Sequence, residues 1–153
     1  MSAMEIIELR TLPDEIGVLL SESERSGFRF LRRLVTEWES GRNRFDGRGE
    51  GLFGARVSGR LVGICGLNID PYENDMAVGR IRRLYVLDAY RRMGVGRSLI
   101  EHVACFARLN FRQLQLRSDT AAVRFYEHLG FQAIVSGSAT HAWSFGEAER
   151  SGA

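Results

Sequence analysis

Apolar residues recur at two different spacings along the chain, and the change of spacing predicts alternating helices and strands. Apolar side chains every three or four positions predict four helices, at residues 13–26, 28–40, 95–107 and 122–129. Shorter apolar runs predict seven strands, at residues 5–9, 52–57, 60–70, 80–87, 114–116, 131–135 and 140–145. This order predicts a mixed α/β domain rather than a regular parallel one.

Turn and capping residues divide these segments. Gly41 and Gly130 follow the second and fourth helical segments, where glycine commonly ends a helix. Ser58 and Gly59 form a two-residue turn that predicts a β-hairpin. Asp119 precedes the fourth helix and has the side chain of a helix N-cap.

Length and composition are those of one globular domain, predicted to span residues 1–153, with residues 149–153 expected to fray. The formal net charge is only +2, which does not point to nucleic acid or to an anionic membrane as a partner. The chain shows no signal peptide and no apolar run long enough to span a membrane. We therefore expect a cytoplasmic protein.

The basic residues are unusual in kind and in position. All 21 are arginine, and six of them lie between Arg80 and Arg97, where Asp88 is the only acid. Such a cluster is either a solvated basic face or a site for a polyanionic small molecule, because guanidinium groups match phosphate and carboxylate geometry. The two cysteines, Cys65 and Cys105, lie in apolar patterns that predict burial, and no metal site is expected.

A glycine loop joins the fourth strand to the third helix. Gly94 and Gly96 allow backbone amides to approach a ligand, and the helix that follows offers unpaired N–H groups. A dinucleotide fingerprint would need a third glycine at Leu99, and a P-loop would need a lysine. The loop is therefore a candidate pyrophosphate site of another kind, or a tight turn without a ligand.

Two linked motifs resemble the GNAT superfamily of acyl-CoA-dependent N-acetyltransferases. The segment Arg91-Arg92-Met93-Gly94-Val95-Gly96 resembles the family's Gln/Arg-x-x-Gly-x-Gly/Ala signature. Downstream, Ala122-x-x-x-Tyr126-x-x-Leu129-Gly130-Phe131 resembles its closing helix and turn. The resemblance implies a mixed, mostly antiparallel sheet that splays between strands 4 and 5, flanked by about four helices.

The resemblance also assigns candidate binding and catalytic residues. Backbone groups of Tyr85 and Val86 would pair with the pantetheine arm of acetyl-CoA, the expected cosubstrate. The pyrophosphate would lie on the amides of Arg92, Gly94, Val95, Gly96 and Arg97, with added charge from Arg91. Tyr126 would lie near the thioester sulfur and act as the general acid for the departing thiolate.

Two positions depart from the family pattern. Asp119 is a candidate CoA-binding residue, because it stands where many members have an asparagine that contacts CoA; an ionised carboxylate accepts but cannot donate a hydrogen bond, so the contact would differ from theirs. Arg80 stands where many members have a glutamate that serves as general base. The acids between Asp70 and Asp75 are the nearest replacements, and Glu73 is favoured for its reach. An acceptor whose amine is already largely neutral would need no such base.

The predicted function is acetyl transfer from acetyl-CoA to a primary amine of a small molecule or peptide by direct attack. The alternative is a catalytically silent acyl-CoA-binding sensor or assembly module, and a homodimer remains open. A nucleic-acid binder is disfavoured because few aromatic residues are interleaved with the arginines. Of the histidines, His141 is predicted to be buried, whereas His102 and His128 are predicted to be solvated.

Overall fold

The computed structural model describes residues 3–146 and contains one sheet flanked by helices. The strands are β1 Met4–Glu8, β2 Gly51–Val57, β3 Arg60–Ile69, β4 Val78–Val86, β5 Gln113–Leu116, β6 Gln132–Ala133 and β7 His141–Ser144. The α-helices are α1 Ile16–Arg25, α2 Phe30–Ser40, α3 Val95–Ala107 and α4 Val123–His128. Short 3₁₀ turns occupy Asp88–Tyr90 and Thr120–Ala122.

The sheet has the strand order β1-β2-β3-β4-β5-β7-β6. Every neighbouring pair is antiparallel except β4 and β5, which run parallel. The β2–β3 hairpin turns at Ser58 (φ 51°) and Gly59 (φ 81°), the left-handed pair that a type I′ turn requires. The predicted mixed, mostly antiparallel fold with four flanking helices is confirmed.

The sheet opens between β4 and β5. The two strands pair only where Val78, Gly79 and Arg80 lie opposite Gln113, Leu114 and Gln115. From Ile81 to Val86, β4 pairs with β3 alone, so its other edge is free of a strand neighbour within residues 3–146. This is the predicted splay.

Different elements cover the two faces of the sheet. On one face α3 packs so closely that a Cβ on Gly63 would lie 3.0 Å from Leu99 and 3.2 Å from Val95. On the other face, a Cβ on Gly66 would lie 2.4 Å from the ring of Phe45. Helices α1 and α2 lie on the Phe45 face, against β3 and β4.

A β-bulge interrupts the pairing of β3 with β4. The register passes from Ile64↔Tyr85 to Gly66↔Arg82, so Arg83 and Leu84 together oppose Cys65. Arg83 has φ 62°, a left-handed conformation that a long side chain rarely adopts. The bulge turns the side chains of Arg82 and Arg83 to the same face, where they reach Asn68 and Glu37 respectively.

Some sequence-based expectations need correction. Cys65 is buried as predicted, but the prediction for Cys105 is wrong, because Cys105 lies on the exposed side of α3. The last two strands are shorter than predicted, and Val135 is fully exposed. The expected fraying of residues 149–153 falls outside the described residues. No helix within residues 3–146 is long and apolar enough to cross a membrane.

Candidate active site

The glycine loop forms a row of available backbone amides. Arg92 (φ 66°) and Gly94 (φ 81°) are both left-handed, and α3 starts at Val95. The amide of Ser98 makes the first helical bond, to the carbonyl of Gly94. Among the described residues, the amides of residues 92–97 therefore have no backbone acceptor, as expected for a loop leading into a helix N-terminus.

The two glycines have different structural roles. At Gly94 no atom lies within 4 Å of the place where a Cβ would stand, so its need for glycine is conformational. At Gly96 a Cβ would lie 3.3 Å from the ring of Phe125 and 3.8 Å from Val86. Gly96 therefore lets α3 pack closely against α4 and the end of β4.

The three arginines of the predicted phosphate site differ in their contacts. Arg91 folds back: its Nε donates to the carbonyl of Val86 at 2.9 Å, and its guanidinium lies 5.2 Å from the centre of the Tyr85 ring. Arg97 pairs with Glu101 one helical turn along, with both side chains mostly exposed. Arg92 is exposed, with no side-chain partner within residues 3–146.

Tyr85 and Val86, predicted to contact pantetheine, lie beside the opening of the sheet. The buried Tyr85 donates its hydroxyl to Glu22 of α1 at 2.5 Å, and Glu22 also accepts from the amide of Asp88 at 3.1 Å. Burial, with the hydrogen bond and charge of Glu22, raises the pKa of Tyr85 to about 12. The hydrogen bond from Tyr85, reinforced by the Asp88 amide, lowers the pKa of Glu22 despite partial desolvation.

Sequence reasoning missed Glu22, because it lies 63 positions before Tyr85 on the exposed-looking side of a helix. The structure makes it the link between α1 and the C-terminal end of β4. The sequence offers only a weak signal for this role, namely an acid in a helix that also carries the buried Leu19 and Ser23.

Tyr126 lies in α4 with its ring held in an aromatic cluster. It is only 8% exposed, and its ring centroid is 5.1 Å from that of Phe125 and 5.8 Å from that of Phe131. Burial raises the pKa of Tyr126, with smaller contributions from Cys65 and Asp119. Its hydroxyl has no hydrogen-bond partner in the part of the chain that the structure describes, which leaves it available to a ligand.

Two polar contacts fix the position of α4. Asp119 caps the preceding 3₁₀ turn by accepting from the amide of Ala122 at 2.9 Å, which confirms its N-cap role. The predicted buried histidine, His141, is 3% exposed and lies between Thr140 at 2.8 Å and Glu127 of α4 at 2.9 Å. His102 and His128 are exposed as predicted.

The acidic loop between β3 and β4 presents its three carboxylates differently. Asp70 is 2% exposed and pairs with Arg80 at 3.2 Å, while it also caps the turn through the amides of Tyr72 and Glu73. Asp75 pairs with Arg112, and the amide of Ala77 is the main cause of its lowered pKa. The half-buried Glu73 carboxylate has no partner within residues 3–146.

These features fit the acyl-CoA expected from the sequence. The row of amides at residues 92–97 can accept a pyrophosphate, and the free edge of β4 offers peptide groups to an extended pantetheine chain. Gly94 leaves open space beside those amides. The available Tyr126 hydroxyl belongs to the helix that packs on Gly96 through Phe125.

A sheet that opens beside such an anion-binding loop defines a class, the acetyltransferases of the GNAT fold. The family model described as "Acetyltransferase (GNAT) domain" matches residues 48–133, more than half of the chain. The chain belongs to this family.

Comparison with known proteins supports the same assignment. The chain is similar to N-alpha-acetyltransferase RimI of Mycobacterium tuberculosis, with 34% identity over 86 residues, 53% of this chain and 51% of that protein. It spans about half the length of the curated relatives it matches.

Solved structures share the fold over nearly the whole chain. A candidate acetyltransferase from Exiguobacterium sp. 255-15 superposes with a TM-score of 0.83 and 27% identity, covering 93% of both chains. A candidate GNAT-family acetyltransferase from Desulfovibrio desulfuricans gives a TM-score of 0.71 at 19% identity, covering 93% of this chain and 99% of that one. The latter similarity bears on the fold alone.

Proposed function

We propose that the protein transfers an acetyl group from acetyl-CoA to a primary amine by direct attack of the amine on the thioester. The observation that carries the proposal is the row of amides at residues 92–97, free of backbone acceptors and adjacent to the opening between β4 and β5. A pyrophosphate on these amides would let the pantetheine arm run along the free edge of β4, beside Tyr85 and Val86. The carbonyl of Val86 already accepts from Arg91 Nε and retains a second lone pair for that arm.

Tyr126 is the proposed general acid. Its raised pKa keeps the hydroxyl protonated at neutral pH, and the absence of a protein acceptor among the described residues leaves its proton free for the departing thiolate. A CoA thiol of pKa about 8.5 leaves more easily when a positioned hydroxyl shares its proton.

The proton of the attacking amine has two proposed fates. Glu73 has a free carboxylate, but it lies in the loop before β4, whereas the proposed acyl site lies near the other end of that strand. The stretch from Val78 to Arg83 alone is about 16 Å long at ~3.3 Å per residue, which keeps Glu73 away from the site. An α-amine of pKa about 7.8 costs only ~1 kcal/mol to deprotonate at pH 7, against ~4.6 kcal/mol for an alkyl amine of pKa about 10.4. The similarity to an N-alpha-acetyltransferase supports the α-amine. We therefore infer that the acceptor presents an α-amine and that Glu73 is not required as its base.

Release of free thiol from acetyl-CoA in a screen of peptides and small amines tests this function. Thiol release that depends on an α-amine acceptor, with the acetylated product identified by mass spectrometry, is the expected result. A silent acyl-CoA sensor would bind acetyl-CoA with normal affinity and release no thiol with any acceptor. That outcome would replace the catalytic proposal with the binding module.

A further inference from the structure

The bulge in β4 brings two adjacent arginines to one face of the sheet, in the segment where β4 has left β5. In a regular strand, Arg82 and Arg83 would point to opposite faces. Here the left-handed Arg83 places both on the side of α1 and α2, where Arg82 reaches Asn68 and Arg83 reaches Glu37. The peptide groups proposed to bind the acyl donor lie immediately beyond, at Tyr85 and Val86.

Arg83 is buried with most of its hydrogen-bonding capacity unused. Its side chain is only 10% exposed, and its one recorded hydrogen bond runs from Nη2 to Glu37 at 3.2 Å. The buried Nε has no partner in the part of the chain that the structure describes. A guanidinium has five N–H donors in a planar fork, so a buried one with a single acceptor is incompletely satisfied. Burial lowers the pKa of Arg83, and the nearby charges of Arg82 and Arg33 act in the same direction.

The neighbouring arginines differ in how their charge is balanced. Arg80 is fully engaged, with Asp70 at 3.2 Å, the carbonyl of Ser138 at 2.6 Å and the Tyr72 ring beneath it. Arg82, by contrast, has no acid within ion-pair distance among the described residues. Its one side-chain contact is the neutral amide oxygen of Asn68, at 3.4 Å. Because Arg83 is paired with Glu37 and Glu50 contacts Asn68 rather than Arg82, Arg82 is the β4 arginine of this face that lacks a direct ion pair among the described residues.

We propose that Arg82 and Arg83 bind a carboxylate of the acceptor, so that the preferred substrate is an α-amine accompanied by an acidic group. Arginine binds carboxylates through paired N–H donors; Arg82 has no carboxylate partner among the described residues, and Arg83 uses only Nη2 for Glu37. Both residues precede Tyr85 on β4 by two or three positions, about 7–10 Å at ~3.3 Å per residue, so a carboxylate bound there would lie near the proposed acyl site. This proposal rests on the acetyltransferase activity proposed above, and it names the chemistry of the acceptor.

Matched peptides separate this preference from the activity itself. We would compare Ala-Glu-Ala-amide with Ala-Gln-Ala-amide, and Asp-Ala-Ala-amide with Asn-Ala-Ala-amide, as acceptors for acetyl-CoA. Within each pair only the side-chain carboxylate changes, and the N-terminal amine is retained. We expect kcat/KM for the acidic member of at least one pair to be about tenfold to 100-fold higher, the range of a charged hydrogen bond.

Variants then assign the preference to these side chains. Arg83→Gln and Arg82→Gln should each reduce the acidic-to-neutral ratio toward one, and Arg82→Gln removes no ion pair, so the fold should be retained. Arg32→Gln is the control, since Arg32 makes an exposed pair with Glu24 on the outer side of the helices. This variant should keep the full preference.

Four outcomes would decide against the proposal in different ways. Equal turnover within both peptide pairs overturns the anionic-acceptor inference but leaves acetyl transfer intact. The same holds if amines without a carboxylate are acetylated in preference to all four peptides. A preference that persists in folded Arg82→Gln and Arg83→Gln shows that other groups bind the carboxylate. No thiol release with any amine contradicts the acetyltransferase function and the inference with it.

Discussion

Replacement of Gly94 by glutamate tests the phosphate site most directly. The Cβ of a residue at this position would meet no atom within 4 Å, so the new side chain has room. Its carboxylate would stand beside the free amides of residues 92–97 and could itself accept hydrogen bonds from them. Gly94→Glu therefore places a competing anion where the pyrophosphate is proposed to bind, without a steric clash in the core.

The consequences of Gly94→Glu can be separated into those of backbone strain and those of the added charge. Because φ at Gly94 is 81°, any side chain there costs about 1–2 kcal/mol of stability. Gly94→Ala carries that strain without the carboxylate. Gly94→Glu should additionally lose charge-assisted hydrogen bonds from the loop amides to the pyrophosphate, each worth about 1.5–3 kcal/mol. Loss of one such bond predicts an acetyl-CoA affinity about tenfold to 100-fold weaker than that of Gly94→Ala.

Calorimetric titration of acetyl-CoA into both variants measures this difference. Gly59→Ala serves as a second control, because Gly59 has the same φ of 81° and the same open surroundings in a hairpin turn. Thermal melts should show comparable destabilisation of Gly94→Ala and Gly94→Glu. If both Gly94 variants are folded and bind acetyl-CoA equally, the amides of this loop do not hold the pyrophosphate.

Three further predictions follow from the contacts around the site. Tyr126→Phe keeps the ring packing and removes the available hydroxyl, so kcat should fall about 10²–10⁴-fold while calorimetry shows nearly unchanged acetyl-CoA affinity. An unaltered kcat, with chemistry shown to be rate-limiting, would mean that Tyr126 has only a packing role. Glu73→Gln should leave the pH–rate profile in place if the acceptor is an α-amine, and a loss of kcat/KM concentrated at low pH would instead make Glu73 the base. Asp70→Asn leaves Arg80 buried without its carboxylate and should lower the free energy of unfolding by about 3 kcal/mol in denaturant titrations. Asp75→Asn, at the exposed pair with Arg112, should cost much less, and equal losses would contradict the idea that burial makes the Asp70–Arg80 pair the more important one.

The Asp70 result also affects how the base can be studied. Asp70 caps its own loop and neutralises Arg80, so a change in activity after its substitution would report the fold of the loop as well as catalysis. Glu73 has no such structural contact within residues 3–146. Of the loop acids, Glu73 is therefore the one whose substitution tests the pH–rate profile without also disturbing the fold of the loop.

Local sequence determined the elements and the glycine loop. Apolar spacing gave α3 the correct extent, because its buried residues repeat with the helical period and need no distant partner to be recognised. Gly94 was identifiable from the glycine loop and the family motif, because glycine lets backbone amides approach a ligand, whereas its left-handed φ of 81° came from the structure. The N-cap at Asp119 was also predictable from local sequence, because its hydrogen bond spans only three residues. Cys105 was misplaced because several residues of α3 are apolar around the predicted stripe.

Tertiary structure alone decided which polar side chains meet. Glu22 reaches Tyr85 across 63 positions and Glu37 reaches Arg83 across 46, separations at which no local pattern specifies a pair. The positive φ of Arg83 has no sequence signal either, because arginine rarely adopts it, and the register between β3 and β4 imposes it. That register turns two adjacent arginines to one face. Side-chain direction in a sheet depends on pairing with another strand, so the charge beside the opening was fixed only when the strands were assembled.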